Sequence, residues 1–221
     1  MTYLTQMRLN PARRGAMRLL SSPHAMHAAV LGGYALEDAG RVLWRLDRGD
    51  RNQVTLYVVG PHEPDLTHVV EQAGWPTTET WRTTAYTPFL KRLARGQAWR
   101  FRLTANPVRV EPPAPGAKRG VVRPHVTAEQ QMEWLRSKCM VWGFEPLPDE
   151  QGGFMVQTRE RDSFTKQDGP GGRRRVTVAR ATFTGVCQVT DADALRAALV
   201  AGMGRAKGYG CGLMTLAPVG M

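Results

Sequence analysis

The chain has 221 residues, room for one large domain or two small ones, and its 42% hydrophobic content excludes a disordered chain. Its apolar runs all fall short of the roughly 20 residues of a membrane span, so no membrane partner is expected. The formal net charge is +11, and arginine carries nearly all of the positive charge, the lysines being Lys91, Lys118, Lys138, Lys166 and Lys207. Arginine forks onto phosphate oxygens and stacks on bases, so this balance favours a polyanionic partner. An ordinary basic protein is the alternative, since arginine also rises with genomic GC content. Cys139, Cys187 and Cys211 are odd in number and far apart, which argues against a disulfide framework or a Cys-built zinc site and for reduced, buried thiols. The first seven residues lack the basic-then-apolar layout of a signal peptide, which places the chain in the cytoplasm.

Residues 3–9 alternate, with Tyr3, Met7 and Leu9 on one face, and form the first expected strand, ended by Asn10-Pro11. A basic segment, 13–18, follows. Ser22 stands as an N-cap with Pro23 at the first helical position, opening a helix to about Asp38 with Gly40 near its C-terminal cap. Met26, Ala29, Val30 and Gly33 give its buried stripe. Residues 42–46 (Val42, Trp44 and Leu46 inward) and 54–59 read as a hairpin across the turn 47–52. Leu66, Val69, Val70 and Ala73 fall at helical spacing before Gly74, and a weaker strand lies within 81–87. The order is βαββαβ, the split ferredoxin-like unit.

A short basic link, 91–96, leads to a second round. Residues 99–103 alternate, and 111–124, rich in Pro, Gly and basic residues, reads as a loop. Thr127 to Gln130 is a capping box opening a helix to about Trp142, with Met132, Leu135, Cys139 and Trp142 as its stripe. Short strands are expected at 144–147 and 154–158, then a basic hairpin tip over 159–175, a β-rich run 176–189, a helix capped by Asp191 and a closing strand at 213–216. The fold class is therefore α+β: tandem ferredoxin-like (RRM-like) βαββαβ domains, 1–92 and 97–221, with a basic hairpin in the second.

Three groups could carry chemistry. His24 and His27, at i and i+3, project from one side of a helix start, where the dipole disfavours imidazolium. A neutral histidine beside an RNA backbone can take the 2′-hydroxyl proton, and it or a partner can protonate the leaving 5′-oxygen, with no metal. Two such histidines are also ordinary surface or capping residues. A zinc site is a third reading, but His62, His68 and His125 lie in separate segments with no Cys-x-x-Cys nearby. The stretch Gly204, Arg205, Ala206, Lys207, Gly208, Tyr209, Gly210 to Gly212 supplies close-approaching backbone N–H groups and two cations for phosphate, or is simply a glycine-rich turn. It departs from the Walker loop and from the dinucleotide fingerprint. Arg159, Arg161, Lys166, Arg173, Arg174 and Arg175 gather on the hairpin, where they could grip a structured RNA or form a solvated tip. The tryptophans, Trp44, Trp99, Trp134 and Trp142 above all, fall on apolar faces and read as core rather than as base-stacking platforms.

Several stretches together resemble the CasE family, the CRISPR repeat-processing endoribonucleases of type I-E Cascade complexes. They are Leu9-Asn10-Pro11, the segment Ser22 to His27, Leu43-Trp44-Arg45-Leu46, residues 100–107 and the ending 204–213. The resemblance covers nearly the full length. It implies tandem ferredoxin-like domains and recognition of the repeat stem-loop of precursor CRISPR RNA. It implies one metal-independent cut at the 3′ base of the stem, without a cofactor, giving 2′,3′-cyclic phosphate and 5′-hydroxyl ends. The enzyme then stays on the mature crRNA and joins the other Cascade subunits; free, it is expected as a monomer. The family's catalytic histidine follows a Pro-x-x-Met pattern, which lands on His27. Three residues earlier some members carry an assisting tyrosine, here His24, and Gly32 occupies the place of a lysine found in some members. Another arginine or lysine must then stabilise charge in the transition state. The glycine-rich loop carries the expectation of RNA contact. A non-catalytic RNA-binding subunit of the same fold is the alternative.

Overall fold

The structure, a computed structural model, describes residues 1–35, 40–50, 52–76, 80–113, 120–167 and 172–220, with the backbone alone at 166, 167, 173 and 174. The first half runs β1 (Tyr3–Leu9), α1 (Arg14–Ser21), α2 (Pro23–Leu31), β2 (Leu43–Arg48), β3 (Val54–Gly60), α3 (Thr67–Ala73) and β4 (Trp81–Ala85). Its sheet is antiparallel in the order β2-β3-β1-β4, the split ferredoxin-like arrangement expected. Period-two alternation sends Met7, Leu9, Leu56, Val58 and Trp44 to one face. There α1 contributes Ala16 and Leu19, α2 Met26 and Val30, and α3 Val69 and Ala73, forming one core.

The second half runs α4 (Thr87–Arg92), β5 (Ala98–Ala105), β6 (Val108–Glu111), β7 (Val121–Pro124), α5 (Ala128–Cys139), β8 (Phe144–Pro146), β9 (Phe154–Gln167), β10 (Arg173–Val189), α6 (Ala192–Ala201) and β11 (Met214–Pro218). The sheet order is β11-β5-β10-β8, with β9 also on β10. Because β8 pairs with Cys187–Val189 and β9 with the rest of β10, the two together fill the place of a single second strand. β5 pairs only with Ala181–Gln188, so beyond that point β9 and β10 continue as a two-stranded ribbon.

Several expectations change. The basic segment 13–18 lies mostly in α1, whose buried residues are Ala16 and Leu19; three arginines had masked a short apolar stripe. The helix opened by Ser22 ends at Leu31, because Gly32-Gly33 breaks it and the Gly33 carbonyl turns to accept from the Asp65 N–H. The rest of that expected helix, 36–39, lies outside the described residues. The link 91–96 begins inside α4, whose Leu90 and the following Leu93 are buried. Strands β6 and β7 form a small ribbon within and before the expected loop 111–124, of which 114–119 lie outside the described residues. The tip expected over 159–175 is mostly paired strand, and 168–171 lie outside the described residues. The capping box of Thr127 and Gln130 forms as expected, although α5 stops at Cys139 and a single 3₁₀ turn reaches Trp142.

Strand β2 is buried on both faces. Trp44 faces the first core, while Leu43, with Val59 of β3, joins the core of the second half beside Phe101, Leu103 and Met214. Arg45, 1% exposed, crosses the same boundary. Its Nε and Nη2 donate to the two carboxylate oxygens of Asp47 at 2.7 and 2.8 Å, and Nη1 donates to the carbonyls of Arg102 and Leu213 at 2.7 and 3.1 Å. Nη2 also donates to Thr215 Oγ1 at 2.8 Å, so all five guanidinium donors are used. Removing a buried charge network of this kind leaves carbonyls and a carboxylate short of partners. Arg45→Met is expected to lower unfolding free energy by about 3 kcal/mol in a urea titration. A loss below roughly 0.5 kcal/mol would show that the network is dispensable.

Candidate active site

Ser22 caps α2 as the sequence suggests, its Oγ accepting from the Ala25 N–H at 3.2 Å, with Pro23 in the first turn. The cap fixes where the following residues point. Met26 and Val30 go into the core, His24 is exposed, and His27 is half-buried at the rim. The His27 Nδ1 accepts from the Trp44 indole N–H at 3.3 Å.

Nε2 of the same ring faces the glycine loop. A Cβ built on Gly208 would lie 3.2 Å from His27 Nε2, so the loop backbone lies directly against the imidazole. Gly210, at φ +79°, lies as closely on Trp44: a Cβ there would come within 2.7 Å of the indole. The loop is closed at its neck by Met203 N–H to Gly212 O (2.9 Å) and tied to β5 by Gly212 N–H to Thr104 O (2.7 Å). Ala206, at φ +60°, holds a left-handed backbone without being glycine, a strained position beside Lys207.

The ribbon reaches the same loop. Phe164 of β9 meets the Tyr209 ring edge-on, with centroids 4.9 Å apart. Helix α2, loop 204–212 and the basic ribbon therefore adjoin one another, which joins three groups that are far apart in sequence. On the ribbon, Glu160 and Asp162 are both bound by Arg180 at 2.7 Å, so these two carboxylates are internally neutralised. Arg161 and Arg175 are exposed on one shared face, and Arg175 Nε donates to Ser163 Oγ at 2.6 Å. Arg159, lower on the ribbon, donates to the Val126 carbonyl at 3.2 Å. In the backbone register, Arg173 and Arg174 stand opposite Gln167 and Lys166 at the far end.

The family model described as "CRISPR associated protein" matches residues 2–218. The CRISPR-associated endoribonuclease Cse3 of Thermus thermophilus is 32% identical over 98% of this chain and 100% of its own length. The chain belongs to the CRISPR-associated protein family. A Cascade subunit of Escherichia coli K12, CasE, is 29% identical over 80% of this chain and 89% of its own length. The solved structure of Thermus thermophilus Cse3 bound to an RNA representing a pre-cleavage complex has a TM-score of 0.76 and 30% identity, covering 98% of this chain and 99% of that one. The CRISPR-associated chain is thus a homologue of Cse3 and CasE, and its tandem ferredoxin-like fold is theirs.

Within this family member, the two loop cations differ. Arg205 is exposed. Lys207 is half-buried, its Nζ donating to the Ala201 carbonyl at the end of α6 at 2.8 Å. Burial, and next the nearby Arg41 guanidinium, push the Lys207 ammonium below its usual range. Arg41 is a cation that reading the sequence missed; it stands two residues before β2, where nothing in a period-two pattern flags it. Arg45 and the Trp44 N–H were missed as well, because a strand pattern reports burial and not hydrogen bonding. The cysteines are buried and free, with burial pushing the Cys187 and Cys211 thiols up to about 12.

Two glycines of the loop separate crowding from backbone strain. Gly210→Ala adds a side chain at positive φ against the indole and is expected to lower unfolding free energy by about 2 kcal/mol. Gly208→Ala adds one at an ordinary φ and is expected to change it by less than about 1 kcal/mol. Thermal unfolding of the pair checks this; equal losses would contradict the packing of Gly210 on Trp44.

Proposed function

We propose that the chain is a metal-independent endoribonuclease that binds the repeat stem-loop of precursor CRISPR RNA. It cuts once at the 3′ base of the stem and stays on the mature crRNA within Cascade. The single observation that carries this reading is the nearness of the glycine loop to His27, whose Nε2 lies 3.2 Å from where a Cβ on Gly208 would stand, at the meeting point of α2, the loop and the basic ribbon. The names of the relatives, an endoribonuclease and a Cascade subunit, support the same reading.

In the reaction the 2′-oxygen bonds to the adjacent phosphorus and the bond from phosphorus to the 5′-oxygen breaks. The 2′-hydroxyl proton leaves and a proton arrives on the 5′-oxygen, giving a 2′,3′-cyclic phosphate and a 5′-hydroxyl. We assign His27 to this proton traffic, with His24 one turn earlier beside the RNA. Gly204, Arg205, Lys207, Gly208, Tyr209 and Gly210 bind the backbone near the cut. Lys207 would exchange the Ala201 carbonyl for phosphate, and the adjacency of Arg41 nominates that pair to meet the transition-state charge in place of the missing lysine at Gly32. Arg159, Arg161, Lys166, Arg173, Arg174 and Arg175 contact the stem through phosphates, so affinity falls steeply with salt. Among the described residues no helix is long and apolar enough to cross a membrane, and we place the protein in the cytoplasm, monomeric when free.

His27→Ala is expected to cut cleavage of a labelled repeat hairpin by at least about a thousandfold while leaving hairpin affinity near wild type. A 2′-deoxy nucleotide before the cut should block the reaction and EDTA should not. Cleavage retained in the variant would defeat the assignment of His27, and inhibition by chelator would point to a metal-activated water.

A further inference from the structure

Strand alternation puts Leu4, Gln6 and Arg8 of β1 on the face of the first sheet that points away from its helices, with Tyr57 and Arg82 opposite Gln6. The second half covers only part of that face. Leu4, Tyr57 and Val59 pack into its core, whereas Gln6, Arg8 and Arg82 stay exposed. These three line a cleft of about 620 Å³ that two indoles share. Trp75 follows α3, and its N–H donates to the Leu9 carbonyl at 3.0 Å. That bond fixes the ring at the end of the sheet while the residue remains 43% exposed. Trp81, half-buried, opens β4. Among the described residues lining the cleft the charged ones are Arg8 and Arg82, with no carboxylate, and Asn52 and Gln53 add amides.

Indoles stack on base faces, side-chain amides pair with base edges and arginines take phosphates. An acidic peptide would engage the arginines alone; an unpaired nucleotide strand uses all three. We propose that this cleft binds unstructured RNA beside the repeat stem, with a base stacked on Trp75 and its phosphates on Arg8 and Arg82. The source of that RNA rests on the repeat-binding reading above; the single-strand chemistry of the cleft rests on its own residues. The cleft stands apart from the cutting site. It reaches Val54 at the start of β3, whereas Trp44, which holds His27 on the other face, pairs with Val58, about 13 Å further along that strand. It therefore adds grip on a flanked transcript and leaves the chemistry at the stem untouched.

The test compares the bare repeat hairpin with the same hairpin extended on both sides by unstructured nucleotides, using the full chain. The extension is expected to tighten binding roughly tenfold. Trp75→Ala should abolish that gain and leave affinity for the bare hairpin, and its cleavage, at the wild-type level. Arg8→Gln, a change at an exposed side chain, should lower the salt slope of binding by about 1 for the extended RNA only. With 4-thiouridine in the extension, the wild type should crosslink through peptides that contain Trp75 or Trp81, which decides the matter even if Trp75→Ala fails to fold. An extension worth less than about twofold, crosslinks confined to other peptides, or a gain kept by both variants would overturn the proposal. Variants that bind the extended RNA as wild type does but fail to join the other Cascade subunits would also overturn it, assigning the cleft to a protein. A wild type that ignores the bare hairpin yet crosslinks unstructured RNA at Trp75 defeats the repeat-binding reading and leaves the cleft a single-strand site.

Discussion

The buried guanidinium of Arg45 is the interaction on which the rest depends. It binds Asp47 on its own strand, the carbonyl of Arg102 on β5 and, just past the glycine loop, the Leu213 carbonyl and Thr215 hydroxyl. Placing a charge there is costly unless every donor is used, and every donor is used. The consequence is a joint of fixed geometry. The first sheet cannot slide against the second without breaking charge-assisted bonds to a buried guanidinium.

One strand therefore serves both halves of the site. Trp44 looks into the first core and holds His27, while Arg45 looks the other way and holds the exit of the glycine loop. The loop needs glycine where it lies against these two. Position 210 takes positive φ against an indole, and position 208 has its backbone beside an imidazole. Around that point the ribbon adds a surface on which Glu160 and Asp162 are already bound to Arg180, leaving Arg161 and Arg175 exposed for a polyanion.

Most of this architecture was legible from residue patterns. The Ser22-Pro23 cap, the strand alternation around Met7 and Leu9, the Thr127 capping box and the Asp191 cap are local signals set by neighbours in sequence, and each formed where the residues put it. Helix α1 was not legible, because arginines at 13, 14 and 18 hide a stripe of only Ala16 and Leu19. The second face of β2 was not legible for a deeper reason. Alternation predicts one wet face on an antiparallel sheet, and Leu43 and Arg45 sit on the face that a second domain covers. No local pattern reports a domain interface. The candidate site follows the same rule: His27 and the glycine loop each announced themselves, but their contact, and the indole N–H beneath it, exist only in three dimensions.

The most direct measurement is a structure of the His27→Ala variant holding an uncleaved repeat hairpin. The scissile phosphate should lie between position 27 and the backbone of residues 204–212, with the stem along the β9–β10 ribbon. A phosphate seated elsewhere, with the loop and position 27 clear of RNA, would contradict the account.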